Sequence, residues 1–234
     1  DNFLERALTW NENGILTGAR HISLAGTTAY IAVPDGIVII DLSIPLEPKF
    51  VRKLRFDQPL ASAVQFRYLF VLDNFGMHVV DITKNENARI VEGASVPLKD
   101  ARNIYIARTY AYIAGGSEGL VIVDIERAEK PWIYTVYNDE GKINDLYDVK
   151  VATTNASLFA YLADGKNGFK VLQLTDPERV PQFYGFSPEV KPLLIAHKET
   201  SGNAVALSKA LDRDRAVDES GHQVSVFGRI GSRP

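Results

Sequence analysis

The hydrophobic positions of this chain fall in short runs separated by turn residues, and the runs recur as a set. The clearest copy reads Ala111-Tyr112-Ile113-Ala114, a glycine-rich turn, Gly119-Leu-Val-Ile-Val-Asp-Ile125, then Pro131-Trp132-Ile133. Another reads Ala29-Tyr30-Ile31-Ala32, Gly36-Ile-Val-Ile-Ile-Asp-Leu42 and Pro48-Lys49-Phe50. A third copy holds Leu69-Phe70-Val71, Gly76-Met-His-Val-Val-Asp-Ile82 and Ala88-Arg89-Ile90. A degenerate fourth has Ala160-Tyr161-Leu162-Ala163, Gly168-Phe-Lys-Val-Leu-Gln-Leu174 and Pro181-Gln182-Phe183. The turn glycines stand at 36, 76, 119 and 168. A spacing of roughly 40–50 residues with several short strands per unit is the mark of a β-propeller.

Each unit divides into four predicted strands. The first alternates apolar with polar, as in His21-Ile-Ser-Leu24, Ala63-Val-Gln-Phe66, Asn103-Ile-Tyr-Ile106 and Asp148-Val-Lys-Val151, which suits a half-buried strand. The tyrosine strand follows, then a hairpin rich in Gly, Asn and Asp, residues that tolerate the backbone of tight reversals. The third strand, such as Val121-Ile122-Val123, is nearly all β-branched and is expected to be buried on both faces. It ends on Asp41, Asp81 or Asp124, whose side chain can cap the next turn. A proline-marked run supplies the outer strand, where a missing N–H is tolerated. The repeats are expected at about 19–57, 58–96, 97–139 and 142–188.

The ends depart from this pattern. Residues 1–18 hold Phe3-Leu4 and Ile15-Leu16 without a full unit. The tail opens on a strand candidate, Pro192-Leu-Leu-Ile-Ala196. Asn203 to Ala216 then reads as a short helix, with Val205, Leu207 and Leu211 at helical spacing. Gln223-Val-Ser-Val-Phe227 echoes the start of a repeat. The expectation is an all-β propeller of four-stranded blades in one domain over 1–234, with five blades: four clear repeats and an irregular fifth formed from 191–234 with 1–18. The alternative is an open set of four blades from a larger propeller.

The string Gly119-Leu-Val-Ile-Val-Asp-Ile125, recurring with its tyrosine strand and downstream proline over about 19–188, resembles the LVIVD repeat family. The resemblance implies a β-propeller of an exported or cell-surface protein, periplasmic or extracellular. Some related proteins join such repeats to multihaem cytochrome regions, so a multihaem c-type cytochrome is the partner it suggests. The family carries no agreed catalytic residues.

Composition narrows the choices. The chain has 234 residues, 46% of them apolar and 24% charged, with a net charge of −3 and both signs interspersed. No basic stripe exists, which argues against a nucleic-acid partner. No apolar run approaches the roughly 18 residues of a membrane span. There is no cysteine, so disulfides, thiolate metal sites, a cysteine nucleophile and covalent c-type haem attachment are excluded within these residues. The chain opens at Asp1 rather than Met, as expected after removal of a leader or for a piece of a longer polypeptide. No cofactor is expected.

Propellers bind ligands where loops entering the innermost strands ring the channel. Here those loops bring Arg20 and His21, Ser62, Asp100 with Arg102 and Asn103, Asp145 with Tyr147 and Asp148, and Arg215 with Asp218. Arg20, His21, Arg102, Asn103, Tyr147, Asp148 and Arg215 would make a polar rim able to grip a carboxylate, sugar or peptide. The same residue types also pair between blades. His21, His78, His197 and His222 lack zinc-helix spacing. No G-x-S-x-G elbow or phosphate-cradling loop is present. These observations favour a non-enzymatic scaffold or protein-binding module. The competing reading is a lyase or hydrolase acting on a saccharide or lactone at the channel mouth. It requires a deep pocket where Arg20, His21, Arg102 and Asp148 converge.

Overall fold

The computed structural model describes residues 8–153, 157–176, 178–180 and 187–208. Sixteen strands among them form four antiparallel sheets of four, each in simple sequential order. The first sheet holds β1 (His21–Ala25), β2 (Thr28–Val33), β3 (Gly36–Asp41) and β4 (Lys49–Arg55). The second holds β5 (Ala61–Gln65), β6 (Tyr68–Asp73), β7 (Gly76–Asp81) and β8 (Arg89–Pro97). The third holds β9 (Asn103–Ala107), β10 (Tyr110–Ala114), β11 (Leu120–Asp124) and β12 (Trp132–Tyr137). The fourth holds β13 (Asp148–Thr153), β14 (Leu158–Ala163), β15 (Phe169–Thr175) and β16 (Leu193–Lys198). The first strands of successive sheets lie side by side, β1 by β5, β5 by β9 and β9 by β13. That is blade geometry around a channel.

The β-branched third strands explain the stacking of blades. Leu120, Val121, Ile122 and Val123 are all buried, their side chains alternating between the two faces of the sheet. Val121 and Val123 join Phe70, Met77 and Val79 of the second blade. Leu120 and Ile122 join Val149, Leu162 and Leu172 of the fourth. Each such side chain contributes about 1.5–3 kcal/mol on burial, so the interblade cores supply the bulk of the driving force. Asp41, Asp81 and Asp124 cap the following turns as their position at the strand end implies. Their carboxylates accept the N–H of Ser43, Thr83 and Glu126 at 2.8, 2.9 and 2.9 Å.

Two expectations are corrected. The fourth blade takes its outer strand from Leu193–Lys198, which pairs with β15 through Val171↔Ala196 and Leu172↔Leu194. The fourth repeat therefore reaches beyond 188, and the expected outer run Pro181-Gln182-Phe183 lies outside the described residues. The physical reason is the turn after β15. Asp176 accepts the N–H groups of Glu178 and Arg179, both at 3.0 Å, and Leu193-Leu-Ile-Ala is the next apolar run able to pair. The helix read over 203–216 does not start where expected: Asn203–Ser208 is not helical, and Ala204 bridges to Gly165. Residues 209–216 lie outside the described residues, as do 1–7 of the N-terminal segment.

Candidate functional site

The innermost strands begin at matching register positions, His21 opposite Ala32, Ala61 opposite Leu72, Asn103 opposite Ala114 and Asp148 opposite Ala163. Side chains at these strand starts share the rim of the channel. Their chemistry is spent largely on neighbouring blades.

Arg102 shows this most fully. Its Nε and Nη2 donate to Asp100 at 3.0 and 2.9 Å. Its Nη1 donates to Asp145 of the next blade at 3.1 Å, and its guanidinium lies 4.2 Å from the Tyr147 ring centroid. The planar fork thus meets two carboxylates and an aromatic face at once, a geometry a lysine cannot copy. Bonding to Asp100, which outweighs the effect of burial, and then to Asp145 holds the guanidinium pKa above its ordinary value. For Asp145, burial is the largest single influence and pushes upward. The Lys166 N–H and Arg102 together outweigh it, so the carboxyl sits below its ordinary value.

Close approach of backbone makes this possible. A Cβ on Gly116 would sit 1.8 Å from Asp100 Oδ2, and one on Gly165 would sit 2.1 Å from Asp145 Oδ2. Each carboxylate lies over the hairpin glycine of its own blade.

Asp148 is a second node. It accepts from Asn103 Nδ2 at 2.7 Å, Lys150 Nζ at 2.7 Å and its neighbour Val149 N–H at 2.8 Å. Its other oxygen accepts the N–H of Leu207 from the tail at 2.8 Å. His21 accepts the Ser62 N–H on Nδ1 at 3.3 Å, which puts the neutral ring's proton on Nε2. Burial holds His21 below its ordinary pKa of 6.5; Lys150 adds to the effect and Asp148 opposes it. Ser23 and Ser62 bond through their hydroxyls across the first blade boundary.

Of the expected rim, the structure brings Arg102 and Tyr147 together, and Asn103 with Asp148. His21 is near enough to feel Asp148 and Lys150. Arg20 is exposed, and its backbone N–H closes on Ala32. Arg215 and Asp218 lie outside the described residues. Two open clefts, about 370 and 440 Å³, are lined by other residues: one by Phe66, Arg67, Tyr68 and Glu129, the other by Lys142, Lys166, Lys170 and His197. Among the described residues no three His, Asp or Glu side chains gather as metal ligands, and no helix is long and apolar enough to cross a membrane.

The sequence reading missed a buried ion pair. Lys170 Nζ donates to Asp164 at 2.5 Å, with the two side chains 3% and 0% exposed. His78 Nε2 and Asp73 occupy the matching places of the second blade, 2.9 Å apart. Where blades two and four place an acid and a base, blade three places Gly115 and Val121. The coordinated change at two aligned positions is the signal that identifies the pair.

The profile of the LVIVD repeat matches residues 18–54 and 99–130, so these two stretches of the chain are LVIVD repeats. They cover the first blade through most of its outer strand and the third blade up to its outer strand. No curated protein matches the sequence. Among solved structures, the chain is similar to a functionally unknown protein from Desulfotomaculum acetoxidans, at 12% identity, TM-score 0.61, covering 79% of this chain and 57% of that one. A protein from Lactobacillus plantarum is similar at 10% identity and TM-score 0.62, with 79% and 58% covered. The β-propeller domain of Cps50 (Swd1) from Myceliophteria thermophila matches at 15% identity and TM-score 0.52, with 78% and 57% covered. The chain thus spans less than two thirds of each of these structures. At these identities the likeness establishes the propeller fold and nothing about activity.

Proposed function

We propose that this protein is a non-catalytic propeller of the exported or cell-surface type, a rigid scaffold that packs against a multihaem c-type cytochrome. The observation that carries this reading is the state of the rim. Arg102, Asn103 and Asp148 are held by bonds that join blades or seat the tail. A catalytic rim keeps an acid or base with a free face toward a bound substrate. Charges committed to each other instead make a stiff, level surface for a protein partner.

Two further points support it. The chain has no cysteine and cannot hold a c-type haem covalently, so electron-transfer chemistry would reside in the partner. The outermost strand of the third blade, Trp132–Tyr137, carries no charge, and Trp132, Ile133 and Val136 are exposed. By contrast, β4 guards its edge with Lys49, Arg52, Lys53 and Arg55. An uncharged aromatic edge strand is a natural contact for another protein.

The test is gentle purification of the protein from its source, with solution size and absorption spectrum taken on one sample. A Soret band eluting with the chain is the expected result. A colourless, partner-free chain that turns over a saccharide or lactone would overturn the proposal in favour of the enzyme reading.

A further inference from the structure

The two ends of the four-blade array are unfinished in complementary ways. On the leading side of the first blade, Ile22 and Leu24 are 54% and 62% exposed. Their counterparts by strand register are Ile104 and Ile106 in β9, and Val149 and Val151 in β13. All four are buried, and each pair lies in the core shared with the preceding blade. The outer part of the first blade's leading side is covered: Trp10, Ile15 and Leu16 pack on Ala29, Val33, Val38 and Ile40. Among the described residues, nothing equivalent covers the part nearest the channel.

At the other end, the tail enters as an innermost strand would. Gly116 and Leu146 exchange both backbone hydrogen bonds, at 3.2 and 3.0 Å, just before β13 begins at Asp148. Gly165 and Ala204 make the same exchange one blade later, both bonds at 2.9 Å. This register makes Ala206 the counterpart of Asp148 and Leu207 that of Val149. A separate bond gives the same alignment. The Leu207 N–H donates to Asp148 as the N–H of Ser62, the counterpart of Val149 in the second blade, donates to His21.

We infer that Ala206–Ser208 open the innermost strand of a fifth blade, and that this strand borders the Ile22–Leu24 side of the first. The tail leaves Ser208 at the channel, between the two unfinished sides. The charges of Lys150 and Asp148 in the fourth blade reach His21 in the first, which places the two ends close across the channel. This inference does not depend on what the protein binds.

The register names the residues that must touch. Across the first boundary Ser23 bonds Ser62; across the closing boundary the counterparts are Ser208 and Ile22. The chain has no cysteine, so Ser208→Cys with Ile22→Cys introduces its only two thiols. They would come within the roughly 4.4–6.8 Å Cα spacing of a disulfide. Mild oxidation should consume both thiols within one chain, to the same extent as the control pair Ser23→Cys with Ser62→Cys. Free thiols alongside an oxidised control would overturn the inference. So would a dimer linked through these positions, which would assign the closure to a second copy. Leu24→Asp gives a second readout. It should lower the unfolding midpoint if the side is covered, and an unchanged midpoint would contradict the closure.

Discussion

Lys170 and Asp164 form an ion pair whose two side chains are sealed from solvent between the strands of the fourth blade, while the matching places of the third blade hold Val121 and Gly115. One architecture thus uses two solutions for one pair of positions. Asp164 also accepts the Asp145 N–H at 2.8 Å and Asn167 Nδ2 at 3.1 Å, so the pair supports the hairpin as well as the strand.

Removing one partner should be far worse than removing both. Lys170→Met strands a buried carboxylate and is expected to cost about 3–5 kcal/mol. Asp164→Gly with Lys170→Val copies the third blade and should stay within about 2 kcal/mol of wild type, the residue being the lost hydrogen bonds. Denaturant unfolding of the two variants checks the order.

Gly116 and Gly141 both sit at positive φ, +53° and +88°, yet differ in surroundings. A Cβ at 141 meets nothing within 4 Å, so Gly141→Ala should cost only the left-handed backbone, roughly 1–2 kcal/mol. At 116 the methyl displaces Asp100 from beneath Arg102, and the loss should be about twice that or more. Comparing the two unfolding midpoints separates backbone strain from collision.

Phe66 turns the corner between β5 and β6 at φ +51° with 70% of its surface exposed. The aromatic gains little there and strains the backbone. Phe66→Gly removes the strain, and a rise of about 0.5–1 kcal/mol in stability is expected.

His21 links stability to pH. Its folded pKa lies below 6.5, so in the window between the two values the unfolded chain binds the proton more readily. Its contribution to stability is full above 6.5 and falls as pH drops toward the folded value. Protonation also removes the Nδ1 acceptor of the Ser62 N–H. His21→Asn places there the residue that Asn103 supplies in the third blade. The stability gap between wild type and this variant should narrow from about pH 7 to about pH 5. A constant gap would remove His21 from the account.

Much of the architecture was legible because each blade repeats its own grammar. The β-branched third strands, the hairpin glycines and the turn-capping Asp41, Asp81 and Asp124 are local features. A strand's burial and a two-residue cap follow from adjacent positions. The outer strand of the fourth blade was not legible, because Pro181-Gln182-Phe183 falls at the repeat position of an outer strand while β15 pairs with the later run Leu193-Leu-Ile-Ala. The rim was visible as a set of residues but not as a set of bonds. Arg102 and Asp145 lie in different repeats, and nothing local indicates that the arginine spans the boundary. The tail misled at Val205 and Leu207, because Ala204 pairs with the backbone of Gly165 and Asn203–Ser208 is not helical.

The central claim is that the rim charges join blades rather than await a ligand. A double-mutant cycle on Arg102→Ala and Asp145→Asn, read by unfolding free energy, tests it most directly. The account predicts that the double variant loses less than the two singles together, by about 1 kcal/mol, for a partly exposed pair in contact. Strict additivity would contradict it, leaving Arg102 and Asp145 energetically independent and the rim available for binding chemistry.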